Sequence, residues 1–184
     1  MPEKEFQRQD NLLSLCGLNC SLCPMFIEKR CSGCRAGSTC YLTCEIAPCS
    51  IEHGNIDYCF ECGEYPCDKY DGIELYDSLI THRNQKKDLQ KAKTIGIEKY
   101  HAEQLEKKKI LDMILNGYAI NNRHIFFCLA VNLLEVDDLK LILGESDEST
   151  QDMTLNERSD FIKNKLCDFA KKRNISLELN TGKY

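Results

Sequence analysis

The sequence predicts a mainly α-helical chain that opens with an irregular, metal-stabilised, cysteine-rich N-terminal module and contains a small amount of β structure. Three observations carry this expectation. Eleven of the 13 cysteines lie within residues 16–67. Long helical patterning with capping residues begins only after Gly72. Near the end, Ile175, Leu177 and Leu179 alternate with polar residues, as in a strand. The boundary is therefore expected at residue 73, with a metal-binding module at 1–73 and a predominantly helical domain at 74–184.

The leader, residues 1–15, ends in the apolar residues Leu12, Leu13 and Leu15, expected to pack the start of the module. Pro24 suits the first position of a short helix over 24–30, where its missing amide hydrogen costs nothing. Cys40 and Cys44 are four apart, one face of a helical turn, which should have ended by Cys49 after Pro48. Pro66 is expected to open a further helix, with Asp68 and Asp71 favoured by its dipole.

Beyond the module, residues 74–95 read as one helix, and 97–116 as a second with Gly117 as its cap. The apolar run 124–134 reads as a buried helix, with Cys128 as a core residue. A short helix over 137–143 should end at Gly144 and give way to a mobile acidic loop, 145–152. Thr154 and Glu157 form a capping box that opens a helix to about residue 173. The strand that follows needs a partner, for which the 12–15 region is a candidate.

Charge and composition narrow the functional classes. Residues 1–73 hold 6 Lys/Arg against 11 Asp/Glu, whereas the remainder balances 18 against 18. An acidic module made more negative by bound thiolates is a poor match for a phosphate backbone, so nucleic-acid binding is not expected. Residues 81–109 carry nine basic and four acidic side chains, suited to a solvated helix face or to docking of the acidic module. No secretory apolar region opens the chain, and no run of 18 apolar residues occurs in it. The expectation is a cytoplasmic protein without membrane attachment.

That compartment bears on the cysteines: Cys16, Cys20, Cys23, Cys31, Cys34, Cys40, Cys44, Cys49, Cys59, Cys62 and Cys67. A reducing cytosol disfavours disulfides, and the odd count would leave one thiol over. Three C-x-x-C pairs, Cys20/Cys23, Cys31/Cys34 and Cys59/Cys62, have the spacing that turns two thiolates toward one ion. All eleven are therefore candidate metal ligands. Zn²⁺ is the expected ion; an iron–sulfur cluster is the alternative, since Cys16, Cys20 and Cys23 match cluster spacing only in part. His53, four residues after Cys49, is a possible twelfth ligand and more simply a surface histidine. How the cysteines divide among sites stays open, although Cys31/Cys34 and Cys59/Cys62 should each remain together.

As an ordered set, CGLNCSLCP at 16–24, CSGC at 31–34, CEIAPC at 44–49 and CFECGEYPC at 59–67 resemble the cysteine-rich domain of unknown function numbered 3795. The resemblance is strong over residues 12–75 and loose beyond, and implies a small metal-binding protein without an established activity. It carries over to the cysteines within those segments; Cys40 falls where such proteins often have one, and His53 lies outside the signature.

No H-E-x-x-H, G-x-S-x-G or Gly-rich phosphate loop accompanies His53, His82, His101 and His124. His101, with Glu98 and Glu103 nearby, reads as structural or exposed. The leading expectation is a non-enzymatic structural zinc-binding module that presents a surface to another protein. An iron–sulfur electron carrier or oxidoreductase component is the alternative.

Overall fold

The computed structural model describes residues 6–120 and 123–182, without the side chains of 147 and 148; residues 1–5, where the leader begins, lie outside the described residues. The α-helices are α1 (Pro24–Ile27), α2 (Ile46–Glu52), α3 (Gln85–Ile95), α4 (Ile97–Tyr118), α5 (Arg123–Leu133), α6 (Val136–Ser149) and α7 (Leu155–Lys172). Single 3₁₀ turns at Cys20–Leu22, Tyr41–Thr43, Cys59–Glu61 and Asp68–Tyr70 punctuate the cysteine-rich part. None of the helices is long and apolar enough to cross a membrane. Two compact units result, Met1–Gln104 with Asn180–Tyr184, and Leu105–Leu179.

The expected β content is corrected: among the described residues there is no strand. Residues 175–179 do alternate between half-buried and exposed, but their backbone has no neighbouring strand to pair with. The chain is fastened just beyond, where Asp77 and Asn180 exchange backbone N–H to carbonyl (2.9 Å) and backbone N–H to carboxylate (2.9 Å) hydrogen bonds.

The expectation of a metal-stabilised module is corrected as well. Among the described residues, no three His, Cys, Asp or Glu side chains converge on a point so as to hold a metal ion. An apolar core accounts for the packing instead: Phe6, Leu13, Leu15, Ala47, Tyr58 and Tyr70 bury against Leu89 and Ala92 of α3 and Tyr100 of α4. Burying one such large side chain is worth roughly 1.5–3 kcal/mol. A module lacking long aliphatic runs of its own thus takes its core from helices far along the chain. Asn19 ties the two parts, donating to Asp88 Oδ2 (2.7 Å) and accepting from the Tyr100 hydroxyl (2.9 Å). Gly17 makes this approach possible. At φ +96° it runs so close to α3 that a Cβ would lie 2.5 Å from the Gln85 carbonyl oxygen and 2.7 Å from Leu89 Cγ.

Helix α3 starts at Gln85 rather than 74 because Asp77 captures the preceding segment. Its buried carboxylate accepts from the Thr81 hydroxyl (3.0 Å) and the His82 amide (2.8 Å), a local arrangement that competes with helix. Within this unit Lys86 pairs with Glu74 (2.8 Å) of the preceding turn and Lys91 with Glu103 (2.5 Å) of α4, so part of the basic run is neutralised locally.

In the second unit, Leu111, Ile114, Phe127, Leu134, Leu139, Ile142, Ile162 and Leu166 are all but fully buried, and Cys128 joins them at 2% exposure. The capping box is present, with Thr154 Oγ1 accepting from the Glu157 amide and Glu157 reaching back to the Thr154 amide. Gly117 and Gly144, expected as caps, lie inside α4 and α6. The helix continues past Gly144 to Ser149, and Ser146, Ser149 and Thr150 turn their hydroxyls onto carbonyls four residues back, which keeps them within the helical run.

Candidate functional site

All 13 cysteines are free thiols. The eleven of the module line two cavities. Cys16, Cys20, Cys23, Cys31, Cys34, Cys40 and Cys44 surround the larger, of about 60 Å³. Cys49, Cys59, Cys62 and Cys67 surround the smaller, of about 20 Å³, together with His53, Lys69, Tyr65 and Tyr70. Each C-x-x-C pair stays within one cavity. The thiols form walls around a space and do not meet at a point.

Short turns set the larger cavity. Cys20 opens the first 3₁₀ turn, and Cys23 caps α1, with Pro24 following as the first helical residue. Cys40 and Cys44 flank the Tyr41–Thr43 turn, so the expected helical face is a tighter 3₁₀ arrangement. Cys49, expected beyond the end of that turn, lies inside α2, with Pro48 in its first turn. Pro66 precedes a 3₁₀ turn at Asp68–Tyr70 in place of the expected helix.

Polar groups are already aimed at the sulfurs. The Ala47 amide donates to Cys44 Sγ (3.3 Å), and Ser14 Oγ lies 3.2 Å from Cys16 Sγ. Backbone amides of Met25 and Phe26 face Cys23, that of Leu15 faces Cys34, and that of Leu18 faces Cys16. Such contacts favour thiolate, yet burial outweighs them. Desolvation, then the nearness of other thiols, pushes Cys34 up to about 12 and Cys40 up to about 11. Cys16, Cys20 and Cys23 are raised first of all by burial too. At neutral pH these are protonated, weakly nucleophilic thiols, and binding a metal would release their protons.

In the smaller cavity, burial pushes Cys59 up to about 12 and also raises Cys49. His53 Nδ1 lies 2.9 Å from the Cys49 carbonyl oxygen and 3.4 Å from Cys49 Sγ. The Tyr70 hydroxyl donates to the Cys16 carbonyl (3.1 Å) and lies in hydrogen-bond contact with the Cys59 side chain.

Several residues of this environment escape sequence reasoning. Ser14, Ser38, Gln85 and Tyr70 carry no motif; only Tyr70, three residues after Cys67, has a spacing that hints at the neighbouring thiols. His101 occupies a separate polar cluster, with its Nε2 3.0 Å from Asp10 Oδ2, which also accepts from the Tyr58 hydroxyl (2.5 Å). The Arg8 guanidinium stacks 4.7 Å from the Tyr58 ring centre.

Residues 12–72, about a third of the chain, match the model of a family described as Protein of unknown function (DUF3795). The match begins at Leu12, in the apolar end of the leader, and ends five residues after Cys67. Comparison with curated proteins and with solved structures finds no match.

The donor set is soft. Among the described residues no carboxylate and no imidazole line the larger cavity; its lining is thiols, Ser14, Ser38, Tyr41 and apolar groups. Thiolate sites select zinc, copper(I) and iron–sulfur groups over magnesium or calcium. The donor types, though not their present spacing, suit a thiophilic metal.

Proposed function

We propose that residues 12–72 form a thiolate metal-binding module of non-enzymatic role, with zinc as a resident ion, that serves another protein as a binding platform. The observation that carries this reading is the collection of seven thiols around one cavity whose described lining holds no carboxylate and no imidazole. Zinc held by four thiolates has no open position at which to activate water, which favours a scaffold over hydrolytic chemistry. Leu75, Tyr76 and Leu79, each more than half exposed within five residues, support a protein as the partner.

The test is metal uptake by the full chain under reducing conditions. The expected result is tight zinc binding with release of protons, and thiolate-to-metal charge-transfer absorption when cobalt(II) replaces zinc. A reduced, folded chain that takes up neither ion would overturn the proposal.

A further inference from the structure

Given the thiolate metal module proposed above, on which this rests, we infer that the two cavities take different guests: the seven-thiol cavity a polynuclear iron–sulfide cluster, and the four-thiol cavity beside His53 a single zinc ion.

Size separates them. A cavity needs roughly 10–15 Å³ of such volume to hold one water-sized sphere. The smaller, at about 20 Å³, suits one ion. The larger, at about 60 Å³, has space for several atoms. In tetrahedral zinc the sulfurs stand about 2.3 Å from the ion and hence about 3.8 Å from one another, so a closed site encloses no void. For one zinc ion the walls of either cavity must draw inward, by little in the smaller and by several atoms' worth in the larger, whereas a cluster carrying its own sulfide fills much of the larger space itself. Donor number agrees, because four thiols exhaust a zinc site, while seven leave a cluster its ligands with three to spare.

A second observation is independent of the cysteines. Ser38, only 4% exposed, lines the larger cavity, and its hydroxyl has no hydrogen-bond partner. A buried hydroxyl left unpaired costs about 1–3 kcal/mol. A sulfide-bearing guest offers that donor an acceptor, which a bare cation does not.

Cys20 is central to the larger group, close to Cys34, Cys16, Cys23 and Cys40. In the smaller, Cys59 and Cys62 belong to one turn, and His53 at the rim holds Cys49.

The experiment loads the reduced full-length chain anaerobically, first with zinc and then with mixed ferrous and ferric iron plus sulfide. Zinc, iron and acid-labile sulfide are counted per chain, and visible absorption is recorded. The wild type is expected to hold one zinc together with iron and sulfide in equal amounts. The C20S/C34S double variant should lose iron and sulfide at least tenfold and keep its zinc; the C59S/C62S double variant should do the reverse. Wild-type protein that retains zinc in both cavities and no sulfide overturns the inference while leaving the metal–thiolate reading intact. Wild-type protein that retains no metal of either kind defeats both. The wild-type counts decide the matter even where a variant does not fold.

Discussion

The unit Leu105–Leu179 and the cysteine-bearing unit solve the same packing problem with different materials. The former fills its interior with aliphatic and aromatic faces of helices that follow one another in the chain, and its Cys128 is one more small apolar group among them. The latter has short turns and few aliphatic runs, and closes only because Leu89, Ala92 and Tyr100 arrive from α3 and α4. What differs is the reach of the stabilising contacts. A unit built from neighbouring helices is robust to changes at its surface, whereas one completed by distant side chains depends on a few long-range contacts.

The comparison can be broken most directly at the aliphatic core. Phe127, with no exposed surface, is expected to cost about 3–5 kcal/mol on truncation to alanine, read as a lower urea midpoint in far-ultraviolet circular dichroism. Thiol reactivity of residues 16–67 in the folded protein should be unchanged; a burst of thiol exposure in native buffer would show that the units do not differ in this way.

Alkaline pH should act on the cysteine-bearing unit. In the metal-free protein Cys34 and Cys59 keep their protons up to about 12, whereas the unfolded chain loses them from 9.0 upward. Between these values the unfolded state binds fewer protons, so the stability these thiols contribute is complete below 9 and falls as pH rises toward 12. Urea midpoints followed through tyrosine near-ultraviolet signals, which come mainly from residues 41–100, should drop from pH 8 to pH 10.5. A flat profile would remove the buried thiols as the cause. Metal-loaded protein, with its ligating thiols already ionised, should show a smaller slope.

Smaller again is Tyr100→Phe, which deletes the buried hydrogen bond that its hydroxyl donates to Asn19, at roughly 1.5 kcal/mol. It should speed the reaction of the module's thiols with a disulfide reagent; unaltered thiol kinetics would mean the Asn19 contact does not hold the module to α4. Smallest is Thr154→Ala, which deletes the α7 cap for about 1 kcal/mol and should leave those thiols untouched. Faster thiol reaction in this variant would blur the distinction between units.

The helices of 97–118, 123–133 and 155–172 were legible because their apolar spacing and capping residues are local signals. Residues 74–84 and 175–179 carry misleading signals for a related reason. Asp77 overrides helix propensity with side-chain acceptance, and an alternating stretch reads as a strand whether or not a partner strand exists. Cysteine spacing showed which thiols are neighbours along the chain. The grouping into seven and four was not legible, because it depends on how the turns fold over one another and on the packing of α3 behind Cys16. Nor was the core visible, since the contacts of Asn19 span 69 and 81 residues.

Tyr70 stands between the two chambers with one proton and two takers, the Cys16 carbonyl on one side and the Cys59 sulfur on the other. Whichever claims it leaves the other unserved, so drawing charge onto Cys59 would loosen the backbone of Cys16.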